Sequence, residues 1–403
     1  MNFWKTCKFF SSQNEKKLNA SAIVGILILF LSIIGCSEDN EGGNKVIVNA
    51  SAVVATAASD YSSGAHSVIT YNKPRTASNN LVPTVSDISI VAHGNYFYRI
   101  GRHELDTITK FSIDAPATPI CQFTTMDSND NMEGIVSSNP QTILFVNNKK
   151  GYLIRRGSKR AWIINPSATT QAEFKIGELD LSAYVANNDT DGDPEMAGGI
   201  IVGNKLFILL QRTNGYKLLG SSYIAVFDTT TDNEIETNQG SDGLTGIELM
   251  IQIPSDIFSY GNKLFIASAG RYGREEAVSG LQIVDAETYI SDETLITNDI
   301  ITQVVIVNET KGYYIKYGYK DCAIIPFNPT TKEIGNALSG IGNDLRCLAV
   351  DHNETVWIGS TSWDEDNASS RSGIFIINPA DNSIDEGPIP TDLVPIAIDF
   401  CDQ

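Results

Sequence analysis

Short runs of apolar, β-branched and aromatic residues recur along this chain, each closing on Asp or Asn before a polar turn. Trp162-Ile163-Ile164-Asn165, Ile224-Ala225-Val226-Phe227-Asp228 and Leu281-Gln282-Ile283-Val284-Asp285 follow this rule. So do Ile324-Ile325-Pro326-Phe327-Asn328 and Ile374-Phe375-Ile376-Ile377-Asn378, with Phe111-Ser112-Ile113-Asp114 a less regular version. Such residues suit a packed, pleated surface, and the terminal Asx closes a turn through its own side chain. Two phrases also repeat. Val146-Asn147-Asn148-Lys149-Lys150-Gly151-Tyr152 returns as Val307-Asn308-Glu309-Thr310-Lys311-Gly312-Tyr313, and Gly203-Asn204-Lys205-Leu206-Phe207-Ile208 returns as Gly261-Asn262-Lys263-Leu264-Phe265-Ile266. In both, a strand meets a tight turn and a second strand follows. Self-similarity over roughly 45–60 residues in an all-strand chain marks a β-propeller. The run-plus-Asx markers predict six four-stranded units between about Thr84 and Asp392. Leu393 to Phe400 reads as one inner strand, and Val46 to Leu81 supplies the rest of its blade. The expectation is an all-β, seven-bladed propeller of antiparallel blades, closed by a composite blade from both termini. Closure of this kind pairs edges that would otherwise stay open.

The first residues read differently. Lys5, Lys8, Lys16 and Lys17 precede an apolar run from Ala22 to Ile34, which is short for a membrane span. The run ends in Ile33-Ile34-Gly35-Cys36, which resembles a bacterial lipobox. That resemblance implies a signal peptide over residues 1–35, lipidation of Cys36, a tether over 36–45 and a propeller over 46–403. Ser37-Glu38-Asp39-Asn40-Glu41 resembles the surface-export signal of Bacteroidetes lipoproteins, implying an outer-membrane, surface-exposed protein. A periplasm-facing lipoprotein is the alternative. The 403-residue chain has a formal charge of −19, and losing four Lys and one Glu with residues 1–35 takes it to −22. An acidic body of this kind excludes a nucleic-acid partner, which needs a basic footprint.

The phrases Pro194-Glu195-Met196, Gly203-Asn204-Lys205-Leu206-Phe207 and Tyr223 to Asp228 resemble the YncE or YVTN-type propellers of bacterial surface proteins, from about Val46 onward. The resemblance implies the seven-bladed fold and no common activity; a monomer is expected. Cys121, Cys322, Cys347 and Cys401 are an even set for an exported protein, open to disulfide pairing or to existing as free buried thiols. No Cys-x-x-Cys or paired-His metal spacing occurs.

In a four-stranded blade, the loop between the second and third strands emerges on the same face as the segment leading into the inner strand. Arg102, Arg156, Arg212 and Arg271 fall in such loops, with Tyr317 and Trp363. Glu133, Asp256 and Arg346 fall in leading segments. A funnel with Arg forks and aromatic walls suits an anionic ligand; the bland alternative is that these Args pair with neighbouring carboxylates. Asp189-Thr190-Asp191-Gly192-Asp193-Pro194-Glu195 resembles the first half of a calcium loop, although Gly192 sits one residue early and the twelfth position is Ile200. Asp127-Ser128-Asn129-Asp130-Asn131 is a poorer echo. A Gly-x-Ser-x-Gly elbow, a P-loop and His-Glu-x-x-His are all missing from the sequence. The leading expectation is a non-enzymatic surface propeller that captures an anionic ligand, such as a ferric siderophore, for a TonB-dependent transporter. A surface protein–protein scaffold and a calcium-dependent lactonase are the alternatives.

Overall fold

The computed structural model describes residues 51–401, leaving out 216, 271–276, 293 and 365–370. Cys36, the signal peptide and the tether lie outside the described residues. The strands form seven antiparallel blade sheets and one two-stranded hairpin, Thr213–Asn214 with Lys217–Leu218. In the first blade Val394–Cys401 is innermost and is followed by Ser51–Ala57, Gly64–Thr70 and Ala77–Thr84. The C-terminal strand pairs with the first over Ser51↔Cys401 to Ala57↔Val394, slipping once at Ala55/Thr56. This is the composite blade that the two ends predict.

The remaining blades follow in chain order. The second is Ile88–His93, Tyr96–Gly101, Thr107–Ser112 and Pro119–Thr124, and the third is Pro140–Asn147, Lys150–Arg155, Arg160–Ile164 and Lys175–Asp180. The fourth is Met196–Val202, Lys205–Leu210, Tyr223–Asp228 and Ile247–Glu248. The fifth (Pro254–Tyr260, Lys263–Ser268, Gly280–Asp285) and sixth (Ile301–Asn308, Lys311–Lys316, Ala323–Phe327) have three strands each. Single bridges, Val284↔Ser291 and Phe327↔Ile334, mark their fourth-strand positions. The seventh is Asp344–Val350, Val356–Thr361, Gly373–Asn378 and Ser383–Ile389.

Burial explains why the sequence shows runs rather than alternation. Second and third strands are covered on both faces by neighbouring blades; Leu206 to Leu210 and Tyr223 to Phe227 are buried throughout. Outer strands such as Pro119–Thr124 are mostly exposed. A strand covered on both faces needs continuous apolar residues, and one facing water does not. Every run singled out in the sequence is a third strand or its end. The Asx turns form as expected: Asp228 Oδ1 accepts from the N–H groups of Thr230 and Thr231 at 2.8 and 2.9 Å. Asp285 and Asn328 do the same for Thr288 and Thr331.

Disulfide pairing is not found. None of Cys121, Cys322, Cys347 and Cys401 is in a disulfide, and the last two are buried. They sit in different blades and serve as small apolar fillers. The weaker calcium echo is a helix cap: Asp127 caps the helix Ser128–Glu133, whose Asp130 forms a fully buried ion pair with Arg155.

Candidate functional site

The blades repeat one small device at the axial end of the ring. In blades two, three, four and six, the residue just after the second strand donates its N–H to the carbonyl of the residue just before the inner strand. Arg102 bonds Asp87 in this way at 3.0 Å, Arg156 bonds Asn139 at 3.0 Å, Gln211 bonds Glu195 at 3.1 Å and Tyr317 bonds Ile300 at 2.8 Å. In blades two, three and six both members of the pair line the cavity, and in the fourth only Gln211 does. Arg102, Arg156, Gln211, Ala269 and Tyr317, one from each of blades two to six, line a cavity of about 1010 Å³. Asp87, Asn139, Ile253 and Ile300 line it from the leading positions. Asn139 (φ 45°) and Ile253 (φ 55°) adopt the left-handed conformation there. Gln141, Thr213, Ser255 and Tyr319 complete a wall that is mainly uncharged and polar.

This register decides which sequence candidates meet. Arg102 and Arg156 do, with Tyr317. Arg102 is already paired, its Nη2 lying 2.6 Å from Asp87 Oδ1. Arg156 donates to Gln211 Oε1 at 2.6 Å, and Gln211 donates onward to Pro254 O at 2.8 Å. Arg156 is thus held in place at the wall by a neutral amide.

The other candidates go elsewhere. Arg212 lies one residue past the axial position. Its guanidinium donates to the carbonyls of Tyr184 and Ser221 at 2.9 and 3.1 Å and packs over the Tyr223 ring. Arg346 pairs with Asp344 and donates to the Tyr61 hydroxyl at 2.7 Å. Glu133 is taken by Arg160 and Lys159. Asp256 belongs to an inner strand and accepts from Val304 N–H at 2.9 Å, tying the fifth blade to the sixth. Trp363 is half exposed beside Lys320 and does not line the cavity. Arg271 lies outside the described residues. Sequence reading missed the uncharged lining of Asn139, Gln141, Gln211, Thr213 and Ser255. The strand-end register was the signal that could have found Asn139 and Gln211.

Beside the funnel, Asp191, Asp193 and Glu195 bring carboxylate oxygens within 4.8 Å of one another. Asp191 is exposed, Asp193 half-buried and Glu195 buried. Glu195 Oε2 accepts from Thr213 N–H at 2.6 Å. Asp189 is not in the cluster; its Oδ1 accepts from Asn214 Nδ2 at 3.2 Å. Burial pushes Glu195 up to about 8, with Asp193 and Asp191 adding repulsion. Burial likewise raises Asp193 to about 6 and, with the Asp189 contact and both neighbouring charges, Asp191 to about 7. Three crowded carboxylates that resist ionising together can hold a hard cation, which removes their repulsion.

No family model and no curated protein matches the chain. Among solved structures, a protein from Lactobacillus plantarum is similar with a TM-score of 0.61 at 12% identity, over 88% of this chain and 100% of the other. The apo form of AztD from Citrobacter koseri is similar with a TM-score of 0.51 at 11% identity, over 88% of this chain and 98% of the other. At such identities the likeness speaks for the fold alone, and with the seven sheets it makes this chain a seven-bladed β-propeller.

Proposed function

We propose that this chain is a non-enzymatic ligand-binding propeller, anchored by lipid at Cys36 to the outer membrane and facing the cell exterior. Its axial funnel takes a small anionic ligand, with a ferric siderophore as the concrete class, for transfer to a TonB-dependent transporter. The observation that carries this reading is Arg156. It is the one Arg on the described funnel wall whose side chain is not paired with a carboxylate, and it is fixed by Gln211. A planar guanidinium on a polar wall is a ready partner for carboxylate or catecholate oxygens. Tyr317 and Tyr319 supply flat surface next to it. The wall carries no Ser–His or Cys–His pair among its described residues, which favours capture over hydrolysis.

The test is calorimetric titration of a ferric tris-catecholate into the mature protein. Arg156→Ala should weaken binding by about 1.5–3 kcal/mol, the worth of a charge-assisted hydrogen bond. Arg346→Ala should leave affinity unchanged, because Arg346 is spent on Asp344 and Tyr61. Equal affinities in wild type and Arg156→Ala would place the ligand elsewhere. No binding by wild type would defeat the siderophore reading.

A further inference from the structure

The carboxylates and the funnel share one piece of backbone. Glu195 holds in the fourth blade the leading position that Asp87, Asn139, Ile253 and Ile300 hold on the cavity wall. Its carbonyl accepts from Gln211 N–H and its side chain from Thr213 N–H. Gln211 in turn holds Arg156. The positive charge of Arg156 acts on both Asp193 and Glu195.

A second observation is independent of the acidic residues. Thr213 is 2% exposed and lines the funnel, yet its Oγ1 has no hydrogen-bond partner. Buried hydroxyls are nearly always satisfied, so an unpaired one beside a ligand-competent cluster calls for a partner. Its own N–H ends on Glu195 Oε2, which ties the residue that carries this hydroxyl to the cluster as well as to the funnel wall. Asp189 Oδ2, in the same loop, is also buried without a partner. Every one of these unsatisfied groups is an oxygen, the donor type that hard cations select.

We propose that Asp191, Asp193, Glu195 and the Thr213 hydroxyl hold a divalent cation of the calcium class, whose occupancy is coupled to the charge at Arg156 and through it to the anion in the funnel. The anion half of this rests on the function proposed above. The reason is electrostatic. An empty cluster draws the field of Arg156 toward itself and presents negative charge to the funnel. A bound divalent cation offsets two of the three carboxylate charges, so an anion meets a less negative wall. The coupling is reciprocal, so an anion at Arg156 tightens the cation by the same factor.

The experiment uses calcium chloride, titrated calorimetrically into the mature protein with no anion present. Wild type should bind, and Asp191→Asn, a change at an exposed position, should abolish the heat. Thr213→Val should weaken binding. Arg156→Ala removes a like charge and should tighten calcium on the order of five-fold. Arg102→Ala should not change it, because Asp87 already compensates that charge. Ferric tris-catecholate affinity, measured with and without calcium, should then rise with calcium. Absence of calcium heat in wild type overturns the proposal, as does calcium affinity unchanged in Arg156→Ala. Calcium behaving as expected while the catecholate never binds supports the coupling to Arg156 and defeats only the siderophore reading.

Discussion

His66 shows how one buried residue ties stability to pH. It lies on the second-blade side of the composite blade, packed against Phe97 and Phe111, with Nε2 at 2.8 Å from Pro116 O. Burial pushes its pKa down to about 4, and the neighbouring Arg99 charge acts in the same direction. The folded protein therefore keeps His66 neutral where the unfolded chain, near the ordinary 6.5, takes up a proton. Its contribution is present above about pH 6.5 and is lost as pH falls toward 4, amounting to about 3 kcal/mol over the full window. His66→Gln keeps a donor for Pro116 O and cannot titrate. Denaturant unfolding at pH 7.0 and 4.5 should show a smaller loss in the variant than in wild type; an identical loss in both would remove His66 from the account. At the funnel the same single-residue resolution decides roles. Arg156 and Arg212 look alike in sequence, each just beyond a second strand. One position of register sends the first to the axis and folds the second back onto Tyr184 and Ser221. A composition-based reading sees loop arginines; only the strand end, fixed by pairing, says which of them faces inward.

The repeated Lys-Gly-Tyr phrase has a cause between blades. Lys150 Nζ and Tyr152 Oη both reach Asp232, in the turn that follows the third strand of the fourth blade. Lys311 and Tyr313 reach Asn382, at the equivalent turn of the seventh blade. Asp232 and Asn382 both have positive φ, 59° and 62°, a conformation Asp and Asn tolerate better than most residues. The glycine between Lys and Tyr is required by packing: a Cβ at Gly312 would lie 2.7 Å from the Phe327 ring. The repeat is thus legible in sequence because it performs the same inter-blade contact twice. The fourth strands of the fifth and sixth blades were less legible, because exposed outer positions carry no apolar constraint and shrink to one bridge each. The composite blade offers the sharpest test at this scale. Removing Val394–Cys401 takes away the partner of Ser51–Ala57 and uncovers Val53, Ala55 and Phe97 in the cluster that contains Cys401. The expected loss is several kcal/mol, as when multiple buried side chains are removed. A truncated protein that melts at the wild-type temperature would show that the ring does not depend on this closure.

At the scale of the whole molecule, the direction of the first strand orients the funnel. Ser51–Ala57 runs toward the loop 58–63, which lies on the funnel face: Ser86 Oγ, beside the lining residue Asp87, bonds Tyr61 O at 2.7 Å. The chain therefore enters the ring at Ser51 on the opposite face. The anchor proposed at Cys36 and the ligand capture proposed for the funnel rest on different residues and should separate by mutation. Cys36→Ala should move the protein from the membrane fraction to the soluble fraction and abolish incorporation of labelled palmitate. The released protein should bind ferric tris-catecholate as the anchored one does, with affinity falling as salt screens Arg156. Palmitate entering the variant at wild-type levels would refute the anchor. A released protein that had lost its ligand would refute this separation, because the funnel residues from Asp87 to Tyr319 are all distinct from the segment that carries Cys36.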